Sequence, residues 1–225
     1  METRLNKFLA EKLGLSRREA DNKIAHGDIL INGKVAELGA RIHEDDNISV
    51  DGKSLDSTPV NYTYLMLNKP EGYVSSRKRQ GDTPTLYELL PEKYQSLKTV
   101  GRLDKNSSGL ILLTNDGDFA FSHTHPKFYK LKTYLVTLDR ALEPLHQQEI
   151  SDFGIQLEDG PSKLFLSKLS DDRTKWQVEM SEGRNRQIRR TFAALGYEVK
   201  KLHRVEFGNY KLGDLKPGEF IEIKK

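Results

Sequence analysis

Cysteine is absent from the 225 residues, so neither disulfides nor thiolate metal sites are open to this chain. Long apolar runs are absent too. Stretches such as Leu110-Ile111-Leu112-Leu113 fall far short of the roughly 20 residues that cross a bilayer as a helix. The opening METRLNKFLAEKLG alternates charged and apolar residues, unlike the apolar core of a secretory signal. There is no GxxxxGK[ST], GxGxxG, HExxH or GxSxG pattern, which removes the usual signals of nucleotide hydrolysis, dinucleotide chemistry, zinc proteolysis and serine hydrolysis. Internal repeats and low-complexity tracts are missing as well. These absences point to a soluble cytoplasmic protein with no membrane partner.

A strong overall charge is also lacking, since the net value is only +3. Its distribution is more informative. Residues 1–56 hold nine Lys and Arg against eleven Asp and Glu, and the remainder holds 27 against 22. Within residues 183–204, Arg184, Arg186, Arg189, Arg190, Lys200, Lys201 and Arg204 face Glu198 alone. A concentrated basic stripe is the electrostatic footprint expected for a phosphate backbone, although a solvated helix face gives the same composition.

What is present organises into two parts. Leu5, Phe8, Leu9 and Leu13 recur at helical spacing. Ser16-Arg17-Arg18-Glu19 is a capping box that opens a second helix burying Ala20 and Ile24, and Gly27 ends it. Asn32-Gly33 and Asp51-Gly52 are turn dipeptides beside the apolar alternations Ile29/Ile31 and Ile48/Val50. We read 1–56 as one small domain, 57–62 as a linker of turn-forming composition and 63–225 as a second domain. In the second part, YLMLNKP predicts a strand stopped by Pro70, and Leu86, Leu89 and Leu90 a short helix. LILLT predicts a buried strand, with Asp118 capping a following helix. TYLVTL and WQVEM predict alternating strands, and Arg189–Leu195 a helix stopped by Gly196. Residues 71–83 read as a mobile basic loop. Strands and helices mix without regular βαβ alternation, which favours an α+β fold.

The motifs then add up to something specific. RLNKFLAEKLGLSRREADNKIAHGDILINGK resembles the RNA-binding module named for ribosomal protein S4. Four later runs occur in order: LNKPEGYVS (67–75), GRLDKNSSGLILLTNDG (101–117), LKTYLVTL (131–138) and EGRNRQIRRTFAALGYEV (182–199). Together with LHRVEFGNYKLGDLKPGEF (202–220), they resemble the bacterial ribosomal pseudouridine synthases of the RsuA/RluB branch. The resemblance implies an S4-like module followed by a catalytic domain on a mixed, mainly antiparallel sheet flanked by helices. It also implies a monomer acting on ribosomal RNA without cofactor, nucleotide or metal. Two positions depart from the family pattern: Ser107 stands where Thr is usual, and Thr191 where Met or Leu is common.

Pseudouridine formation breaks the N-glycosidic bond of a uridine, turns the base and rejoins it through carbon. A carboxylate must stay ionised within a pocket to act at the base or sugar. Burial alone raises a carboxylate's pKa, so a cation must sit against it. The base must leave its stack and find an aromatic surface. The resemblance assigns the carboxylate to Asp104, the paired cation to Arg189 and the stacking ring to Tyr134; these three must then converge in one cleft.

For RNA contacts the expected residues are Arg17, Arg18, Lys23 and Lys34 in the N-terminal module. In the second domain they are Lys69, Arg77, Lys78, Arg79, Arg102, Lys132, Arg184, Arg186 and Arg190. His123 and His125 lack an acid–histidine cluster, so a polar loop is expected there rather than a metal site. The C-terminal runs look closer to the large-subunit (23S) rRNA enzymes than to the small-subunit (16S) ones. Competing readings are a 16S enzyme and a non-catalytic S4-type RNA-binding or ribosome-assembly factor, which has no need to keep Asp104, Tyr134 and Arg189.

Overall fold

The computed structural model describes residues 2–55 and 60–225. Residues 57–59 of the linker lie outside that set. The chain divides into two compact units, one of residues 1–63 with 115–117, the other of 64–114 with 118–225.

The N-terminal unit contains α1 (Leu5–Leu13), α2 (Arg17–Ala25) and six short strands. These are β1 (Thr3–Arg4), β2 (Ile29–Ile31), β3 (Lys34–Val35), β4 (Arg41–Ile42), β5 (Ile48–Val50) and β6 (Lys53–Ser54). The capping box forms as the sequence predicts: Ser16 Oγ accepts the Glu19 N–H at 3.1 Å, and Glu19 Oε2 accepts the Ser16 N–H at 2.6 Å. Asn32-Gly33 (φ 51°, 79°) and Asp51-Gly52 (φ 50°, 77°) both adopt the doubly left-handed turn of two-residue hairpins. They connect β2 to β3 and β5 to β6 in a sheet ordered β3-β2-β5-β6. Leu5, Leu9, Ala20, Ile24, Ile29, Ile42 and Ile48 form its core.

The second unit is built on one sheet. Its strands are β7 (Tyr64–Lys69), β8 (Lys98–Val100), β9 (Ser108–Thr114), β10 (Lys132–Leu138), β13 (Phe165–Lys168), β14 (Lys175–Met180), β15 (Val199–Phe207), β16 (Tyr210–Lys211) and β17 (Phe220–Glu222). A separate hairpin pairs β11 (Ile155–Leu157) with β12 (Gly160–Ser162). The sheet runs β13-β14-β10-β15-β9-β7-β17, with β8 on β9 and β16 on β15. Among the described strands of this sheet, only β9 and β15 pair in parallel, through His203–Ser108 and Arg204–Gly109. Its helices are α3 (Gly117–Thr124), α4 (Pro144–Gln148) and α5 (Gln187–Ala194). This is the mixed, mainly antiparallel α+β architecture that the resemblance implied.

The unbroken apolar run in β9 has a direct cause. Ile111 and Leu113 join the core on one sheet face with Trp176, Ile188 and Phe192, while Leu110 and Leu112 join Met66, Phe119 and Phe207 on the other. A strand covered on both faces has no polar phase. Each such fully buried side chain contributes about 1.5–3 kcal/mol relative to exposure.

Two expectations need correcting here. Asp118 lies within the first turn of α3 rather than capping it, because the helix already begins at Gly117. The basic loop 71–83 is pinned rather than loose: the Arg77 guanidinium donates to the carbonyls of Gln95, Ser96 and Leu97 and lies 4.8 Å from the Tyr87 ring centroid.

Candidate active site

Asp104 sits in the loop between β8 and β9. Gly101 opens the loop at φ 72°, and the Ser107 N–H closes a turn on the Asp104 carbonyl at 3.1 Å. The bond is made by the backbone, and the buried Ser107 hydroxyl has no hydrogen-bond partner among the described residues. The loop after β7 grips the same segment. Ser75 Oγ donates to the Leu103 carbonyl at 2.8 Å and accepts the Leu103 N–H at 3.1 Å. Gly72, at φ 90°, donates its N–H to the Lys105 carbonyl at 2.8 Å. The run LNKPEGYVS thus holds the run GRLDKNSS in place.

Lys69 ends β7 and does not lie on the surface as an RNA contact must. It is fully buried, with Nζ donating to the Pro70 carbonyl at 2.9 Å. Burial holds its pKa down at about 8, opposed by the nearby charges of Glu71 and Asp104. Lys69 is a buried cation within electrostatic reach of the candidate carboxylate.

The structure also redistributes the arginines. Arg186, read from sequence as a phosphate contact, brings Nη1 to 3.8 Å from Asp104 Oδ2. It does so from a left-handed backbone (φ 47°) at the N-terminal end of α5. Arg189, expected to pair with Asp104, instead donates from Nη1 to the Val199 carbonyl at 2.6 Å and from Nη2 to the Asn106 carbonyl at 2.5 Å. It thereby ties the Asp104 turn to the start of β15. Burial and the like charge of Arg186 lower the Arg189 pKa, while Asp104 and Glu71 oppose the shift. Arg186 makes the ion pair, and Arg189 holds the loop that carries the carboxylate.

Tyr134 is buried on β10, beside an irregularity in its pairing with β15 between Thr133 and Tyr134. Lys132, two residues earlier, donates from Nζ to the carbonyls of Lys130, Ser181 and Glu182 at 3.2, 2.9 and 2.9 Å. With all three donors engaged it anchors the EGR loop instead of offering a free ammonium to phosphate. Burial again lowers its pKa to about 8, and the charge of Arg204 adds to the effect.

Arg204 was not singled out in the sequence beyond its place in the basic stripe. It is 2% exposed, donates from Nε to the Leu110 carbonyl at 2.7 Å and stacks 4.8 Å from the Phe207 ring centroid. The Tyr134 ring centroid lies 6.0 Å away. Its signal was available: Arg204 is in period-two phase with the buried Leu202 on β15, where a charge needs a partner.

Asp104, Tyr134, Arg102, Lys132, Arg186 and Arg204 line one cleft of about 590 Å³. Arg189 reaches the cleft only through the loop it holds. The other expected contacts divide by engagement. Asp159 takes Arg190 on both carboxylate oxygens, at 3.0 and 2.7 Å, and Arg184 at 2.9 Å, which binds both arginines to the β11–β12 hairpin. Arg79 pairs with Glu88, and Lys23 with Asp51 and Asp28. Each of these side chains thus has a carboxylate partner within the chain, while Arg79 stays largely exposed and Arg184 also lines the cleft. Arg17, Arg18, Lys34, Lys78 and Arg102 are exposed. Thr191 is fully buried, its Oγ1 2.7 Å from Ser162 Oγ, and Ser162 also accepts from Gln187 Nε2 at 3.1 Å. The departure from an apolar residue is thus met by a polar network under α5.

His123 is buried with Nδ1 2.9 Å from the Phe119 carbonyl, and burial lowers its pKa. Among the described residues, no three His, Asp or Glu side chains are grouped to hold a metal ion.

Comparison with known proteins identifies the class of enzyme to which this fold belongs, one that modifies RNA. The signature of RNA pseudouridylate synthase matches residues 63–194, and that of the S4 domain residues 3–48. The chain belongs to the RNA pseudouridylate synthase family, in the RsuA/RluB branch that carries an N-terminal S4 domain. It is 40% identical to a protein of Pasteurella multocida named ribosomal small subunit pseudouridine synthase A, covering 98% of this chain and 95% of the relative. It is 37% identical to the Bacillus subtilis protein named ribosomal large subunit pseudouridine synthase B, covering 98% and 91%. A crystal structure of a pseudouridylate synthase matches with a TM-score of 0.70 at 35% identity, covering 98% of this chain and 96% of that one.

Proposed function

We propose that this enzyme isomerises a specific uridine of ribosomal RNA to pseudouridine, with Asp104 as the catalytic carboxylate and Tyr134 as the surface against which the displaced base packs. In the reaction the N1–C1′ bond breaks and a C5–C1′ bond forms. C5 gives up its proton and N1 gains one, so composition is unchanged and no co-reactant is consumed.

The observation that carries this reading is the cleft itself. It presents a carboxylate on a clamped loop, a guanidinium 3.8 Å from that carboxylate and an aromatic ring together. Arg186 stands against Asp104, and Arg189 fixes the turn that carries it. Half-burial limits the water that competes at the carboxylate.

For the target, we favour 23S rRNA on the run EGRNRQIRR followed by VEFGNYKL. The small-subunit name of a relative that is 40% identical supports 16S rRNA as the second reading. Purified protein incubated with 16S and 23S transcripts, followed by pseudouridine mapping, tests both. Asp104→Asn is expected to reduce modification at least about a hundredfold while RNA affinity is retained. Normal modification by that variant overturns the assignment, and a pseudouridine confined to 16S rRNA overturns the choice of subunit.

A further inference from the structure

Segment 121–131, from the second half of α3 to the start of β10, carries a cluster of exposed aromatic side chains. Phe121 is 46% exposed, Phe128 40% and Tyr129 77%. They flank His125, Pro126 and Lys130, which line the cleft. Phe121 and Phe128 meet edge to face at 5.7 Å, and the His125 ring centroid lies 4.7 Å from that of Phe121. Lys127 Nζ stands 5.1 Å from the centroid of Phe121 and 4.8 Å from that of Phe128. Among the described residues, neither Lys127 nor Lys130 is within ion-pair distance of a carboxylate.

Tyr129 is the most informative member. Its backbone is left-handed, at φ 47° and ψ 43°, a conformation that is unfavourable for a residue with a Cβ. A bulky side chain there is an outlier, and a strained backbone normally persists because something is gained by it. Burial is not the gain, since the ring is in water.

We propose that Phe121, Phe128 and Tyr129, flanked by Lys127 and Lys130, form a stacking platform for an unpaired base of the RNA beside the target uridine. Flat rings interleaved with unpaired ammonium groups match a single strand: rings take bases, ammonium groups take phosphates. The position fits as well. A uridine turned into the cleft leaves a neighbour without its stacking partner at the rim. Duplex RNA offers no free base face, so the platform selects locally unpaired RNA. The proposal rests on the isomerase reading for its ligand but is measured without turnover.

The test is binding of the full chain to a fluorescent single-stranded RNA 12-mer and to a duplex of the same length, by anisotropy. Tyr129→Gly removes the ring and suits the left-handed backbone, so the fold is not put at risk; circular dichroism checks it. This variant is expected to weaken single-strand binding at least about fivefold and leave the duplex unchanged. Tyr129→Trp restores the affinity. Lys127→Gln and Lys130→Gln each reduce the slope of log affinity against log salt by up to about one. Equal affinity of the Tyr129→Gly variant for the single strand, or an equal loss on duplex, overturns the platform. If the wild type forms no pseudouridine yet shows the ring-dependent difference, the isomerase reading falls and the platform stands.

Discussion

Two arginines three residues apart hold different posts around Asp104, and they separate experimentally. The Arg186 guanidinium is half-exposed at 3.8 Å from the carboxylate, and exposed ion pairs contribute only about 0–1 kcal/mol to stability. Arg186→Gln is therefore expected to leave the unfolding midpoint nearly unchanged while lowering turnover. Arg189 bonds two carbonyls and is partly buried, so Arg189→Gln is expected to lower both, with a loss of about 1–3 kcal/mol in denaturant unfolding. Equal stability for the two variants contradicts this division. Asp104 and Tyr134 were singled out in the sequence through their motifs, and both line the cleft. The partner of Asp104 was not, because a run such as GRNRQIRR offers four guanidiniums within a few residues. Which of them faces the carboxylate depends on the left-handed turn at Arg186 and on where the Asn106 and Val199 carbonyls lie.

At the scale of elements, the β9–β15 pairing shows how backbone approach constrains sequence. Gly109 has φ 105°, and a Cβ there would stand 2.2 Å from the Arg204 carbonyl oxygen and 2.6 Å from its nitrogen. No side chain yields at such distances, since the obstruction is backbone. Gly109→Ala is expected to destabilise the second unit by about 3 kcal/mol or more. The measurement is the yield of folded protein and its urea midpoint, and wild-type stability for this variant refutes the close approach. The strands themselves were readable because their apolar phase is strict, as in WQVEM, or unbroken, as in LILLT. The turn dipeptides likewise declared the N-terminal hairpins. The pairing order was not readable: β15 lies between β10 and β9, and no local pattern in VKKLHRVEF encodes that neighbourhood. The internal ties of Arg77, Arg184 and Arg190 escaped for the same reason, since their partners are carbonyls and acids brought in by tertiary contacts.

For the whole molecule, the buried lysine gives stability a pH signature. Lys69 has a pKa of about 8 in the folded chain against 10.5 for an ordinary lysine. Between those values the unfolded chain binds more protons, so stability rises with pH there. The penalty is complete below pH 8 and relieved by about pH 10.5. Relative to Lys69→Met, the wild type is expected to gain roughly 3 kcal/mol across that window, read from guanidinium unfolding at pH 7, 9 and 10.5. A constant difference between the two proteins refutes the depressed lysine.

The central place of β15 also has a consequence in time. The strand bearing Arg204 is paired on one side to β10 and on the other to β9, which precedes it by some 90 residues (His203 with Ser108). During synthesis from the N-terminus, β9 and β10 emerge long before the strand that joins them. Contacts of such long sequence separation form slowly. The cleft therefore is completed only once β15 is available to join β9 and β10, which makes it a late feature of folding.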